Sequence, residues 1–118
     1  MSGIGEISEK QLPRVIRTFL LASNNHDTDM MLSCIDDDSV IVDDYREFRG
    51  KEAITKWSDE EFIGARVNVQ VTNLNLREDQ YLVSTEVNGD YPACPYYFNF
   101  CFTLQHNRIS KLQISELK

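Results

Sequence analysis

The chain has 118 residues, 42% of them hydrophobic and 10% aromatic, and 19 acidic against 12 basic side chains give it a formal charge of −7. That is enough chain for a single domain with a modest core and no metal or disulfide staples, and too hydrophobic for a disordered one. The acidic balance, with Arg46, Arg49 and Lys51 interleaved among Asp44, Glu47 and Glu52, argues against nucleic acid or an anionic membrane as a partner, since both need a basic patch.

The opening MSGIGEISEK has no apolar core of signal-peptide length, and no run approaches a membrane span. The expectation is a soluble, cytoplasmic protein with a flexible lead-in over residues 1–9 and one domain over 10–118. Cys34, Cys94 and Cys101 form an odd, widely spaced set that suits a reducing compartment, each reading as a small half-buried hydrophobe. Cys94 lies in a loop marked by Pro92 and Pro95.

Leu12, Val15, Ile16, Phe19 and Leu20 recur at helical spacing, and Pro13, tolerated only in a first turn, sets the helix start close to Gln11. Asn24 and Asn25 end that helix, and His26 reads as a solvated loop residue. Asp27 caps a short second helix carrying Met30, Met31, Cys34 and Ile35. Asp36, Asp37 and Asp38 lack the alternating ligand spacing of a calcium loop and read as a solvated turn. Val40-Ile41-Val42 is a β-branched strand closed by Asp43 and Asp44; a charged loop then leads to Gly50 and a third helix with Ala53, Ile54, Trp57 and Phe62 on one side. Asp59, Glu60 and Glu61 oppose the dipole at its end, which predicts a frayed or solvated terminus.

Beyond Gly64 the period falls to two. Val67, Val69 and Val71 make a strand, and Leu74 and Leu76 continue it one residue out of step, which predicts a bulge near Asn73. A second strand runs through Tyr81, Val83, Thr85 and Val87. The third, Tyr96–Leu104, has Phe98, Phe100, Phe102 and Leu104 on one face and Tyr97, Asn99, Cys101 and Thr103 on the other. A turn at His106-Asn107 leads to a last strand in which Leu112 and Ile114 fall out of phase with Ile109. Consecutive strands on tight turns make an antiparallel meander, so the class is α+β with the helices gathered on one face. The late strands carry enough apolar surface to predict a homodimer through the open sheet face.

The helix RVIRTFLLASNNHD, the segment IDDDSVIVDDYREFRGKEAITKW and the strands YYFNFCFTLQHNRISKLQI resemble the nuclear-transport-factor-2-like superfamily, in its SnoaL-like and ketosteroid-isomerase-like branch. The resemblance covers the chain from about Lys10 onward. It implies a cystatin-like, cone-shaped curved antiparallel (mixed) sheet with three N-terminal helices on its concave face around an apolar pocket. In the family's steroid isomerases the general base is an aspartate ending the strand before the third helix. Matching VDDY to that motif puts Asp44 on the base, with Asp43 beside it. Strand alternation lets only one of the two face inward and does not itself choose. Asp44 is thus either a pocket base, emerging into a cavity walled by Trp57 and Phe19, or a surface partner of Arg46 or Arg49.

The oxyanion-hole tyrosine position falls on Leu20, and the oxyanion-hole acid falls near Phe100, with Asn99 the nearest polar residue. The donors that stabilise an enolate are missing, so steroid isomerisation is not expected. No carboxylate lies within Tyr96–Leu104 for a cyclase mechanism, and His26 and His106 sit in turns, unlike a dehydratase pair. The expected pocket lining is Phe19, Tyr45, Trp57, Tyr81, Tyr97 and Asn99, with no metal and no cofactor. Two functions stand side by side. One is a cofactor-independent acid/base isomerase, cyclase or hydro-lyase acting on a small apolar carbonyl compound. The other is a non-catalytic ligand-binding or dimerisation module on the same fold.

Overall fold

A computed structural model describes residues 4–6 and 8–117. Three helices, α1 (Arg14–Asn24), α2 (Thr28–Leu32) and α3 (Gly50–Glu61), pack on a sheet of seven strands. The strands are β1 (Ile4–Glu6), β2 (Ile35–Asp43), β3 (Arg46–Arg49), β4 (Asn68–Arg77), β5 (Gln80–Asn88), β6 (Tyr96–Gln105) and β7 (Arg108–Glu116). Their order is β1-β4-β5-β6-β7-β2-β3, antiparallel throughout except for the parallel β2–β7 pair. The sheet is therefore mixed and the class α+β, as expected.

The sequence pattern explains which face the helices cover. Val83, Thr85 and Val87 of β5, Phe100 and Phe102 of β6, and Leu112 and Ile114 of β7 are buried against Ile16, Phe19, Ile54 and Trp57 of the helices. Between β4 and β5 the register shifts at Val71/Asn73, the bulge expected near Asn73. A second shift, at Thr103/Leu104, explains the phase of the last strand. Ser110 is the extra residue, its hydroxyl donates to the Thr103 carbonyl at 3.0 Å, and Ile109 and Leu112 both turn inward. Bulges increase local twist and bend, which curls the sheet around the helices.

Several boundaries differ from expectation. Pro13 stands before α1 as its cap, with a short 3-10 turn over Glu9–Gln11 ahead of it, because the fixed proline φ suits a helix entry better than a first turn already begun further back. Asp36, Asp37 and Asp38 lie inside β2, where residues 36–39 bulge opposite residue 110. Buried Ser39 ties that bulge down by donating to the Ile109 carbonyl at 2.6 Å and accepting from the Asp36 amide at 2.9 Å. The charged loop before Gly50 is a strand, β3, paired with β2. Ile4–Glu6, inside the stretch expected as a flexible lead-in, pairs with β4 along its edge.

Asn24 and Asn25 end α1 and Asp27 caps α2, accepting from the Met30 amide at 3.0 Å. Asn24 does more than stop a helix. Its side-chain amide donates to the Val69 carbonyl at 2.8 Å and accepts from the Val69 amide at 2.6 Å, so it pairs with a stretch of β4 that β1 does not reach. The His26 ring also departs from a purely solvated role: its Nε2 lies 2.8 Å from the Val67 carbonyl, which can only accept. No helix among the described residues is long and apolar enough to cross a membrane.

Candidate functional site: an apolar cavity with a carboxyl group in its wall

The site begins where β2 ends. Ile41 is 1% exposed against the helices, and Asp43, two residues on, shares its face. Asp43 pairs with Arg46 across a two-residue turn in which Asp44 and Tyr45 both have positive φ, 54° and 63°. Hairpin turns of this kind require left-handed conformations at both central positions, which aspartate tolerates better than most residues. Asp44 is therefore a turn residue exposed to solvent, outside the alternation of the strand. The motif match that put Asp44 inward is corrected: the carboxyl group on the helix-covered face is that of Asp43.

Helix α3 supplies the wall. Ile54 and Trp57 bury their side chains, and Trp57 is 2% exposed with its ring stacked on Phe62 at a centroid distance of 4.8 Å. A buried indole N–H needs an acceptor. Trp57 Nε1 donates to Asp43 Oδ2 at 2.9 Å. At the end of α3, Glu61 receives two charge-assisted bonds from Arg46, at 2.9 and 2.5 Å. These tie the dipole-opposed terminus to the β2–β3 hairpin, so of the frayed or solvated end that was expected it is the solvated one, with Asp59 and Glu60 exposed. The Arg46 guanidinium also comes within 4.0 Å of Asp43.

The connection after β5 closes the far side. Tyr91 folds back over the end of α3, and its hydroxyl donates to the Glu61 carbonyl at 2.7 Å. Gly89 makes this approach possible: a Cβ there would lie 2.7 Å from the Tyr91 ring and 2.9 Å from the Ala65 carbonyl. Between these walls and β6 lies a cavity of about 590 Å³, lined by Asp43, Trp57, Phe62, Tyr91, Tyr96, Phe98, Phe100 and Ile114, with Asp44, Tyr45, Arg46, Glu60, Asp90 and Glu116 also contributing. A concavity of this size, with aromatic walls and a charged rim, suits a small organic molecule.

Burial pushes the Asp43 carboxyl group above the usual carboxylate range. The Trp57 N–H and the Arg46 charge oppose that rise, while Glu61 and Asp44 add to it. Tyr91 is pushed up to about 12, first by burial and then by the negative groups around it, Asp43 foremost. Glu61 moves the other way, held down by the Arg46 hydrogen bonds. A carboxyl group of raised pKa in an apolar wall is a stronger base, once ionised, than an ordinary aspartate, which suits it to proton transfer. Among the described residues, no three His, Cys, Asp or Glu side chains group as metal ligands.

The expected lining divides. Trp57 is in the wall, and Tyr45 stands at the mouth, 99% exposed. Phe19 is fully buried one layer below, 6.1 Å from Phe62 and 5.7 Å from Phe102 between ring centroids, so it supports the wall and does not line it. Tyr81 is on the helix-covered face opposite Phe102, deeper along β5 than the cavity reaches. Tyr97 and Asn99 are corrected outright. Phe98, Phe100 and Phe102 face inward, so strict alternation sends Tyr97, Asn99 and Cys101 to the outer face. That outer face, with Ser84 opposite Asn99, is more polar than expected. Tyr91 was missed because its irregular loop has no period; the signal present was an aromatic set between Gly89 and Pro92, turn residues that fold a chain back on itself.

No family model matches the sequence, and no curated protein matches it. Solved structures do. A Sinorhizobium meliloti protein named as a polyketide cyclase superposes with a TM-score of 0.82 at 24% identity, covering 92% of this chain and all (100%) of that one. A Kribbella flavida protein named as a ketosteroid isomerase gives 0.77 at 11% identity over 92% of this chain and 79% of its own. An NTF2-like protein of unknown function from Cytophaga hutchinsonii gives 0.75 at 10% identity over 96% and 93%. The helix order, the curled mixed sheet and these superpositions agree: the chain has the fold of the nuclear-transport-factor-2-like superfamily, in company with polyketide-cyclase-like and ketosteroid-isomerase-like structures.

Proposed function

We propose that this chain binds a small, largely apolar carbonyl compound and moves a proton on it with Asp43, as a cofactor-independent isomerase, cyclase or hydro-lyase. The observation that carries the reading is the placement of Asp43. It sits in an aromatic wall, fixed by the Trp57 N–H, with burial holding its pKa up. A carbon-bound proton is removed best by a base of this kind held within hydrogen-bond reach, and the aromatic walls exclude competing water. Superposition on proteins named for cyclase and isomerase chemistry supports the same reading.

The test is hydrogen exchange at carbon. Aromatic polyketide-like ketones, steroid ketones and lactones are first screened for a rise in melting temperature, then incubated with the protein in deuterated water. Wild type should introduce deuterium next to the carbonyl, and Asp43→Asn should still bind but not exchange. Binding without exchange in wild type would favour the second reading, a ligand-binding module without chemistry. A specific feature supports that alternative: the Trp57 N–H and the Tyr91 O–H both donate within the protein, so neither is available to an enolate oxygen.

We also propose a soluble, cytoplasmic homodimer, joined through the outer face of β5 and β6. Tyr97, 48% exposed, and Leu82, paired with Cys101, supply its apolar surface. Light scattering at micromolar concentration should give twice the chain mass, and Tyr97→Asp should lower it; a monomer in wild type would dismiss the dimer.

A further inference from the structure

The cavity is short of donors and rich in acceptors. Its two innermost donor side chains, the buried Trp57 and the half-buried Tyr91, give their protons to Asp43 and to the Glu61 carbonyl. The Arg46 guanidinium is turned to Glu61. What the inner wall still offers a ligand is the Asp43 carboxyl group and the lone pairs of the Tyr91 hydroxyl, both of which can receive a hydrogen bond, while the donor side chains Tyr45, Gln113 and Ser115 are exposed at the rim.

Charge points the same way. Six of the chain's 19 acidic residues line this one cavity, against one of its 12 basic residues. Arg46 is paired with Glu61, and Arg66, just outside, is paired with Asp90 at 2.7 Å. Asp43, Asp44, Glu60 and Glu116 have no counter-charge of that strength among the described residues. Around them stand the aromatic side chains of Trp57, Phe62 and Tyr91, which keep bulk water from screening those charges. Low-dielectric walls concentrate such a field in the cleft.

We propose that the ligand of this cavity is an organic cation: an apolar molecule carrying a protonated amine or iminium nitrogen, whose N–H groups meet Asp43 and the Tyr91 oxygen. Carboxylates, phosphates and sulfates are excluded by the same field. The inference rests on the reading of this cavity as a small-molecule pocket and narrows its substrate class to carbonyl compounds that bear a basic nitrogen. Such a substrate brings its own positive charge to a developing enolate, the role that the missing oxyanion-hole donors leave open.

The experiment uses three probes of one shape: adamantylmethylamine, adamantanemethanol and adamantane carboxylate. Trp57 is the chain's one tryptophan and lies in the wall, so its fluorescence reports occupancy directly. The amine should bind at least about tenfold more tightly than the alcohol at low ionic strength, with the ratio shrinking as salt is added, and the carboxylate should not bind. Asp44→Asn combined with Glu116→Gln, both at exposed positions, should reduce the amine's advantage. Equal binding of amine and alcohol, binding of the carboxylate, or an unchanged advantage in the double variant would overturn the inference while the pocket reading survives. Failure of all three probes to bind would remove the pocket reading and this inference together.

Discussion

Asp43 and Trp57 act as a pair, and the pair makes opposite predictions for two substitutions at one position. Asp43→Ala takes the acceptor from an indole N–H in a side chain only 2% exposed, and an orphaned buried donor costs about 1–3 kcal/mol, so urea denaturation should show that loss at neutral pH. Asp43→Asn keeps an oxygen for Trp57 and removes the charge. Because burial raises the folded pKa of Asp43 above its ordinary 3.8, its contribution to stability is fully present below that value and is lost as pH rises through the folded pKa. Asp43→Asn should therefore match or exceed wild type at pH 7, and the gap should close on acidification toward the ordinary pKa. Denaturation curves of both proteins across that range check the sign. The inward carboxyl group was not legible from alternation, because Val40 and Ile41 are both buried and their parities disagree. What separates Asp43 from Asp44 is the two-residue turn. That turn was legible only once Arg46–Arg49 was seen to be a strand, and its charge pattern reads equally well as a loop.

At the scale of elements, side chains complete what the ladder leaves unpaired. Asn24 occupies the Val69 amide and carbonyl as a neighbouring strand would, so Asn24→Ala exposes both groups and should cost about 1–3 kcal/mol in chemical denaturation, far more than the loss of a helix terminator alone. The connection behind α3 is equally constrained. A Cβ on Gly64 would overlap the Asp59 carbonyl, which is backbone and cannot yield, so Gly64→Ala should lower the melting temperature sharply. Gly89→Ala should act more locally, displacing the Tyr91 ring and with it ligand affinity. Helix α1 and the Phe98/Phe100/Phe102 strand were legible because their apolar periods are long and unbroken, whereas α2 ends at Leu32, so that Cys34 and Ile35, expected on it, lie beyond it, Ile35 opening β2. The shift at Ser110 left its trace in the broken phase of Ile109 and Leu112, whereas the Asp36–Ser39 bulge left none, since it is set by pairing between β2 and β7, which are far apart in sequence.

For the whole molecule, one face of one sheet serves two purposes. Ile16, Phe19, Phe102 and Leu112 close a fully packed core at one end. Toward the other end, Trp57, Phe62 and Phe100 remain as walls around a cavity, because the β2–β3 hairpin and the loop carrying Tyr91 stand apart there. The order of elements made this fold legible from the sequence alone. The site was legible only in outline, as a carboxylate beside a tryptophan-bearing helix; its chemistry depends on which donors are already engaged inside the protein, and sequence does not show that. The most direct measurement uses the one indole N–H in the chain. Because Trp57 Nε1 bonds Asp43, its single indole signal in a proton–nitrogen NMR spectrum should shift with the ionisation of that carboxyl group. A midpoint above the ordinary aspartate value of 3.8, absent in Asp43→Asn, is the predicted result. An indole signal that does not move with pH, or one with a midpoint at or below that value, would contradict a proton-transferring carboxyl group in this wall.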